Sequence, residues 1–261
     1  MRRIAAVGKC IAVILLTVAM SVMFIFGHDY LTQCDYFNVT RLKVEGNCRL
    51  TTAQVVHQAD IQTGSNALAL NLALARKRLL AHPFIADASV GRELPATIVI
   101  HIREHVPLAV LDLGRKFIVN THGEIFKELE DADAVNLPAV TGLTFADITV
   151  GEGPLSMPLS AVLAVLRLGR ENHSVIANSS IQRIHVDREI GLTLYTADRI
   201  RAVKIGYNDY RKKFQKLESL LSYLQSHKGF LQLESIDLNN LNRIVVTPDT
   251  TSAPDGDHKE V

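Results

Sequence analysis

From Cys10 to Gly27 the chain runs eighteen residues without a charge. As a helix that run spans about 27 Å, close to the roughly 30 Å hydrocarbon core of a bilayer. Counting back to Ile4 lengthens it, with Lys9 reaching toward the headgroups. After Gly27 the pattern breaks into short segments of changing period. Leu42 and Val44 alternate with Arg41, Lys43 and Glu45, which predicts a half-buried strand ending in a Gly46-Asn47 turn. Thr51 stands three residues before Gln54, a capping box that opens a short helix with Val55, Val56 and Ala59 on its apolar face. Asn71 is placed to cap a second helix, with Leu72, Ala75 and Leu79 as its buried stripe and Pro83 marking its end. The Arg76–Arg78 run on that helix reads as a solvated face. Ile98, Ile100 and Ile102 then alternate with Val99, His101 and Arg103, a period of two and therefore a strand. Pro95 sits in the connection from the strand before it. The predicted order over 35–104 is β-α-α-β-β.

A second module follows over 105–248. "KFIVNTHGEIFKE" predicts two short strands around an Asn120–Gly123 turn, and "SAVLAVLRLGR" an amphipathic helix ending near Gly169. "IQRIHVD" and "GLTLYTA" are strands flanking a tight turn, and "RAVKIG" is another. "NDYRKKFQKLESLLSYLQSH" is a helix with Phe214, Leu217, Leu220, Leu221 and Leu224 on one face; with fewer than three full heptads it is expected to pack on its own sheet, a partner-binding coiled coil being the alternative. "LESIDL" and "NRIVVT" close the module. The polar tail 249–261 is expected to be disordered. The fold class is α+β: a cytoplasmic segment 1–9, one transmembrane helix at 10–27, a small β-α-α-β-β domain, and a mixed β-sheet domain with helices.

Composition narrows the chemistry. The net charge is +1 with no basic stripe, so nothing supports a nucleic-acid partner. The apolar N-terminal run is too long for a signal peptide and lacks a small-x-small cleavage site, which predicts an uncleaved anchor. Arg2, Arg3 and Lys9 precede it and Asp29 follows, so the N-terminus is expected in the cytoplasm and the rest outside. Cys34 and Cys48 flank a strand that holds their surroundings roughly 25 Å apart, far beyond the reach of a disulfide; both are expected to be free.

"HIREH" would bind a metal on a helix. On a strand, His101 and His105 lie about 13 Å apart and cannot share an ion. Asp131 and Asp133 with Glu128 and Glu130 read as a solvated linker rather than a calcium site. No nucleophile elbow, C-x-x-C, P-loop or dinucleotide fingerprint occurs. The expectation is a protein with no catalytic residues, no metal and no cofactor.

The pattern V-x-R-x-L-P-x-T-L-x-I-x-V-x-E-R-x-P-x-A is approached by Val90, Arg92, Leu94, Pro95, Thr97, Ile98, Ile100, Ile102, Glu104, Pro107 and Ala109. With "KVEGN" before it, this resembles the POTRA domain of the FtsQ/DivIB family of bacterial cell-division proteins. His105 stands where that pattern has Arg. Residues 116–126 resemble the family's L-V-D-x-x-G-x-V-F stretch with Asn120 in place of Asp, and "LPAVTG" resembles its L-P-x-L-x-G segment. The resemblance covers nearly the whole chain.

It implies a bitopic, non-enzymatic scaffold of the divisome in the inner membrane at the septum. Its outer domain would recruit a pair of small bitopic proteins, FtsB and FtsL, and link other division proteins. Two other classes compete. A POTRA-bearing transport or chaperone component would usually carry a barrel, for which the alternating segments are missing. An anchored periplasmic cell-wall enzyme would need a catalytic constellation. The resemblance also implies partner binding at the closing strand, taken as residues 240–248, with Asn240, Asn242, Arg243, Ile244, Val245 and Val246 as the contacting residues. Ile244 and Val246 should face the core, Arg243, Val245 and Thr247 the other side. An edge strand there would accept a partner strand, and Val245→Pro is expected to remove an edge donor and abolish binding with the fold intact.

Overall fold

The structure is a computed structural model. It describes residues 2–130, 133, 136–148, 155–197, 200–226 and 233–248. The tail 249–261 and Asp131 lie outside them. The chain divides into two compact units, Met1–Glu104 and His105–Val261.

The first unit opens with helix α1 (Arg2–Gln33). Its window Val13–Tyr30 is long and apolar enough to cross a membrane, with mean hydropathy 1.7. The helix does not stop with the apolar run at Gly27 but continues for six more residues. Backbone hydrogen bonding needs no apolar side chains, so helix end and span end need not coincide. Then come β1 (Arg41–Glu45), α2 (Thr52–Ala59), α3 (Leu72–Leu80), β2 (Ile85–Glu93) and β3 (Thr97–Glu104). β3 lies between a parallel β1 and an antiparallel β2. The expected order β-α-α-β-β is the one found. Thr51 and Gln54 make the capping box in both directions, and Asn71 caps α3 through the Leu74 N–H. Val55, Ala59, Ala75 and Leu79 from the helices close on Ile98, Ile100 and Ile102 of β3.

The polar residues of the 90–104 pattern hold loops rather than ligands. Arg92 donates from Nε to Ala67 O at 2.6 Å and from Nη2 to Leu70 O, holding the α2–α3 connection. The Glu104 carboxylate accepts the N–H groups of Cys48, Arg49 and Leu50 at 3.0, 2.8 and 3.0 Å. These amides precede α2 and have no ladder partner, so the carboxylate satisfies a small backbone nest.

The second unit contains β4 (Pro107–Asp112), β5 (Lys116–Asn120), β6 (Ile125–Glu128), β7 (Ala139–Thr141), α4 (Met157–Leu168), β8 (Ile181–Asp187), β9 (Gly191–Thr196), β10 (Ile200–Gly206), α5 (Tyr210–Ser226), β11 (Leu233–Asp237) and β12 (Val245–Pro248). The strands form one mixed sheet in the order β12-β11-β10-β9-β8-β7-β4-β5-β6. Leu159, Val162, Leu163, Val165 and Leu166 of α4 join Phe214 and Leu217 of α5 in a single core with the strand residues beneath. On the other side, register aligns Ala139, Arg183, Tyr195, Ala202, Ser235 and Thr247 across six strands, none of them fully buried.

β4 was not legible as a strand because Leu108, Ala109, Val110 and Leu111 are all buried, which erases alternation. A one-turn helix at Phe145–Asp147 was also missed. Asp147 accepts from the Thr144 N–H and hydroxyl at 2.8 and 2.7 Å and from Arg188 Nη2 at 3.0 Å.

Two measurements follow from these carboxylates. Glu104→Gln puts an amide donor against backbone N–H groups and is expected to cost about 1–3 kcal/mol. Hydrogen exchange at Cys48, Arg49 and Leu50 should accelerate; exchange rates equal to wild type would remove the role given to the carboxylate. For Asp147, burial pushes the carboxyl up, but the Thr144 hydroxyl and amide bonds and the Arg188 charge together hold it below 3.8. A folded value below the unfolded one stabilises the protein above the unfolded value, and that gain is lost as pH falls through the folded one. The stability gap between wild type and Asp147→Asn should therefore be full near neutrality and close as pH drops below about 4; a gap that does not change with pH would refute it.

Candidate partner-binding edge

β12 is the last strand of the sheet, and no described strand pairs beyond it. It is shorter than expected: Val245–Pro248, not 240–248. Asn240, Asn242 and Arg243 lie instead in the turn that joins β11 to β12. Asn240 folds that turn, its Oδ1 accepting the Asn242 N–H at 2.9 Å and its carbonyl accepting the Arg243 N–H at 3.1 Å. The six residues therefore form two groups, three exposed in a turn and three at the strand. Ile244 and Val246 pack on the core cluster together with Leu220, Leu221 and Leu224 of α5, while Val245 is 49% exposed. That facing is the one expected.

The backbone phase of β12 can be derived from its neighbour. Leu238 N–H donates to Lys204 O on β10 at 2.8 Å. In a strand, successive residues turn their backbone groups to opposite sides. Ile236 and Leu238 thus address β10, and Ser235 and Asp237 address β12. Their register partners are Thr247 and Val245. These two turn their N–H and C=O inward to β11. Val246 turns its own to the open edge, and the Pro248 nitrogen carries no hydrogen. Among the described residues the outward-facing donor at this edge belongs to Val246, not Val245. The expectation for Val245→Pro is therefore corrected: it would remove an inward bond of the β11–β12 ladder.

The turn is held from below. Asn239 N–H donates to Asp237 Oδ1 at 2.9 Å. Gly206 has φ +67, and a Cβ there would meet Asn239 Oδ1 at 2.0 Å, so only glycine admits this approach. Lys213 of α5 is buried beside it and donates from Nζ to Ile205 O at 2.7 Å and Tyr207 O at 2.8 Å. Burial pulls the Lys213 ammonium below its usual value. Gly206, Lys213 and Asn239 were missed from sequence. Lys213 stands four residues before Leu217, on the apolar face of α5 by helical spacing, a signal that its residue type masks.

The remaining polar candidates are engaged in structure. His101 Nδ1 lies 2.9 Å from Glu45 Oε2 in the first unit. His105 belongs to the second, where its ring stacks on Phe126 at 4.6 Å and its Nδ1 faces Asn120 Nδ2 at 2.9 Å. Since the amide nitrogen donates, this ring nitrogen accepts. The two residues that depart from the family pattern, His105 and Asn120, thus touch one another. Asn120 Oδ1 also accepts the His122 and Glu124 N–H groups, closing the turn before β6. Asp133 accepts two bonds from Lys127 Nζ at 2.6 Å each. Among the described residues no three His, Cys, Asp or Glu side chains gather as metal ligands. Cys34 and Cys48 are unbonded.

Residues 37–105 match the family model described as POTRA domain, FtsQ-type, and residues 109–239 the one described as cell division protein FtsQ/DivIB, C-terminal. The second match ends at Asn239, before β12. The chain is similar to the cell division protein FtsQ of Syntrophotalea carbinolica, 31% identical over 225 residues, covering 86% of this chain and 78% of the relative. It is 32% identical to the FtsQ of Anaeromyxobacter sp. (strain K), covering 80% and 70%. It is 27% identical to the cell division protein DivIB of Clostridium tetani, covering 66% and 64%. With an apolar N-terminal helix, a POTRA unit and a large mixed sheet in that order, the chain belongs to the FtsQ/DivIB family of cell division proteins.

Proposed function

We propose that this protein is a non-enzymatic, single-pass scaffold of the divisome that holds partner membrane proteins by adding one of their strands to β12. The observation that carries the reading is the outward-facing N–H and C=O of Val246 at a sheet edge that no described strand pairs. An added strand satisfies those groups and gains main-chain hydrogen bonds. Side chains set selectivity. Incoming residues facing the core side meet Ile244, Val246 and the end of α5, and those on the open side meet Val245 and Thr247. Asn240, Asn242 and Arg243 flank the entry as an exposed polar turn. The partners that fit are small bitopic proteins of the FtsB and FtsL kind. A shared membrane raises their effective concentration at the edge.

The test uses two prolines. Val246→Pro removes the outward donor at a position where edge strands tolerate proline, so partner binding should be lost, whereas Val246→Ala, which loses the same packing on the core but keeps the donor, should still bind. Val245→Pro removes an inward ladder bond and should lower the stability of the second unit. Full binding by the Val246→Pro variant would move the interface elsewhere.

The topology proposed is N-terminus in the cytoplasm and both units outside, in the inner membrane at the septum, supported by Arg2, Arg3 and Lys9 ahead of the apolar run. A reporter active only outside the cytoplasm, fused after Val261, should be active. Activity of a cytoplasmic reporter at the same position would reverse the orientation.

A further inference from the structure

We infer that Tyr36 anchors the POTRA unit on the surface of the membrane that α1 spans, so that this unit is held at a fixed height rather than swinging on a tether. The inference rests on the reading of α1 as a membrane helix.

The joint between helix and domain is short. α1 ends at Gln33, and a one-turn 3-10 helix, Asp35–Phe37, begins two residues later. Only Cys34 lies between them, with extended backbone at φ −72 and ψ 126. The 3-10 turn is bonded into the domain. Ala67 N–H donates to Phe37 O at 2.8 Å, Asn66 Nδ2 to Cys34 O at 3.2 Å, and Val39 N–H to Ser65 O at 2.8 Å. Asn38 Nδ2 closes the turn on Asp35 Oδ1 at 2.9 Å. No slack segment separates the anchor from the first strand.

The geometry then fixes where Tyr36 sits. The apolar window ends at Tyr30, which is 74% exposed. Three helical steps to Gln33, two extended steps through Cys34 and one 3-10 step put Tyr36 no more than about 13 Å beyond Tyr30. The headgroup layer on each side of the hydrocarbon is roughly 5–7 Å deep, and a tyrosine side chain reaches most of the remaining distance. Tyr36 is 68% exposed. Its only ring contact among the described residues is the edge of Phe37, at 5.2 Å between centroids. An aromatic ring with a polar tip is the side chain that favours the headgroup level, where the ring leaves water and the hydroxyl keeps its hydrogen bonds. The bilayer is the occupant favoured over a protein partner because the chain itself delivers this ring to that depth.

The chain has no tryptophan, so single replacements report one position each. The full-length Tyr36→Trp and Tyr30→Trp variants are placed in phosphatidylcholine–phosphatidylglycerol vesicles with lipids brominated near the carbonyl end of the acyl chains. Both should show blue-shifted emission and lose intensity to the brominated lipid. Quenching of the Tyr30→Trp variant with water-like, unquenched emission from the Tyr36→Trp variant would overturn the anchor at Tyr36 and leave the membrane helix standing. Blue-shifted but unquenched emission at position 36 would assign the ring to a protein contact and overturn it as well. Absence of quenching at position 30 would overturn the membrane reading of α1, and this inference with it.

Discussion

An open sheet cannot satisfy its own outermost backbone groups. Nine strands in the order β12 to β6 pair side by side and leave two edges where pairing among the described strands stops. How each edge is handled governs what the second unit can do. At β6 the strand is four residues long and the chain turns away after it, with Asp133 accepting both the Lys127 ammonium and the Glu130 N–H. Short length and an inward ion pair are ordinary ways to blunt an edge. At β12 the strand is as short, yet the described residues supply no side chain to its outward groups, and the apolar Val245 stands open beside them. It is at β12 that the proposed partner strand would add.

The same backbone requirement shapes the first unit. Its three-stranded sheet is small, and the loops that enter α2 and link it to α3 have no ladder of their own. Glu104 and Arg92 supply what is missing, one as acceptor for three amides and the other as donor to two carbonyls. The apolar inward face of β3 and the polar residues near it, Arg92 on β2 and Glu104 at the end of β3, thus have separate tasks. The isoleucines fill the core; the charged residues fix loop backbone that no strand pairs.

Much of this was legible from the chain alone, where a local signal existed. The capping box at Thr51–Gln54, the alternation at 98–102 and the apolar stripe of α5 each mapped onto the element expected. The failures share a cause. β4 is covered on both faces, so it shows an apolar run with no period. β12 was drawn five residues too long because "NLNRIVV" gives no sign of where a turn held by Asn240 ends. Which backbone groups face the edge was invisible, since phase is set by β11 against β10, through a bond from Leu238 to Lys204 far apart in sequence. Lys213 and Gly206 support the turn by tertiary contact alone.

Two kinds of constraint meet in this molecule. A strand edge is a permissive binding site, because main-chain bonds carry little sequence information and any extended segment of suitable face pattern can use them. Selectivity must come partly from elsewhere. A tether supplies it by limiting which segments ever arrive. A membrane-borne partner is present at high effective concentration only if both sites can be reached together, and that advantage falls as the connection lengthens. A joint of one residue between α1 and the POTRA unit removes most of the freedom that a flexible linker would allow. On the proposed reading, partners that share the membrane meet β12 at raised effective concentration, and the edge itself can remain chemically simple.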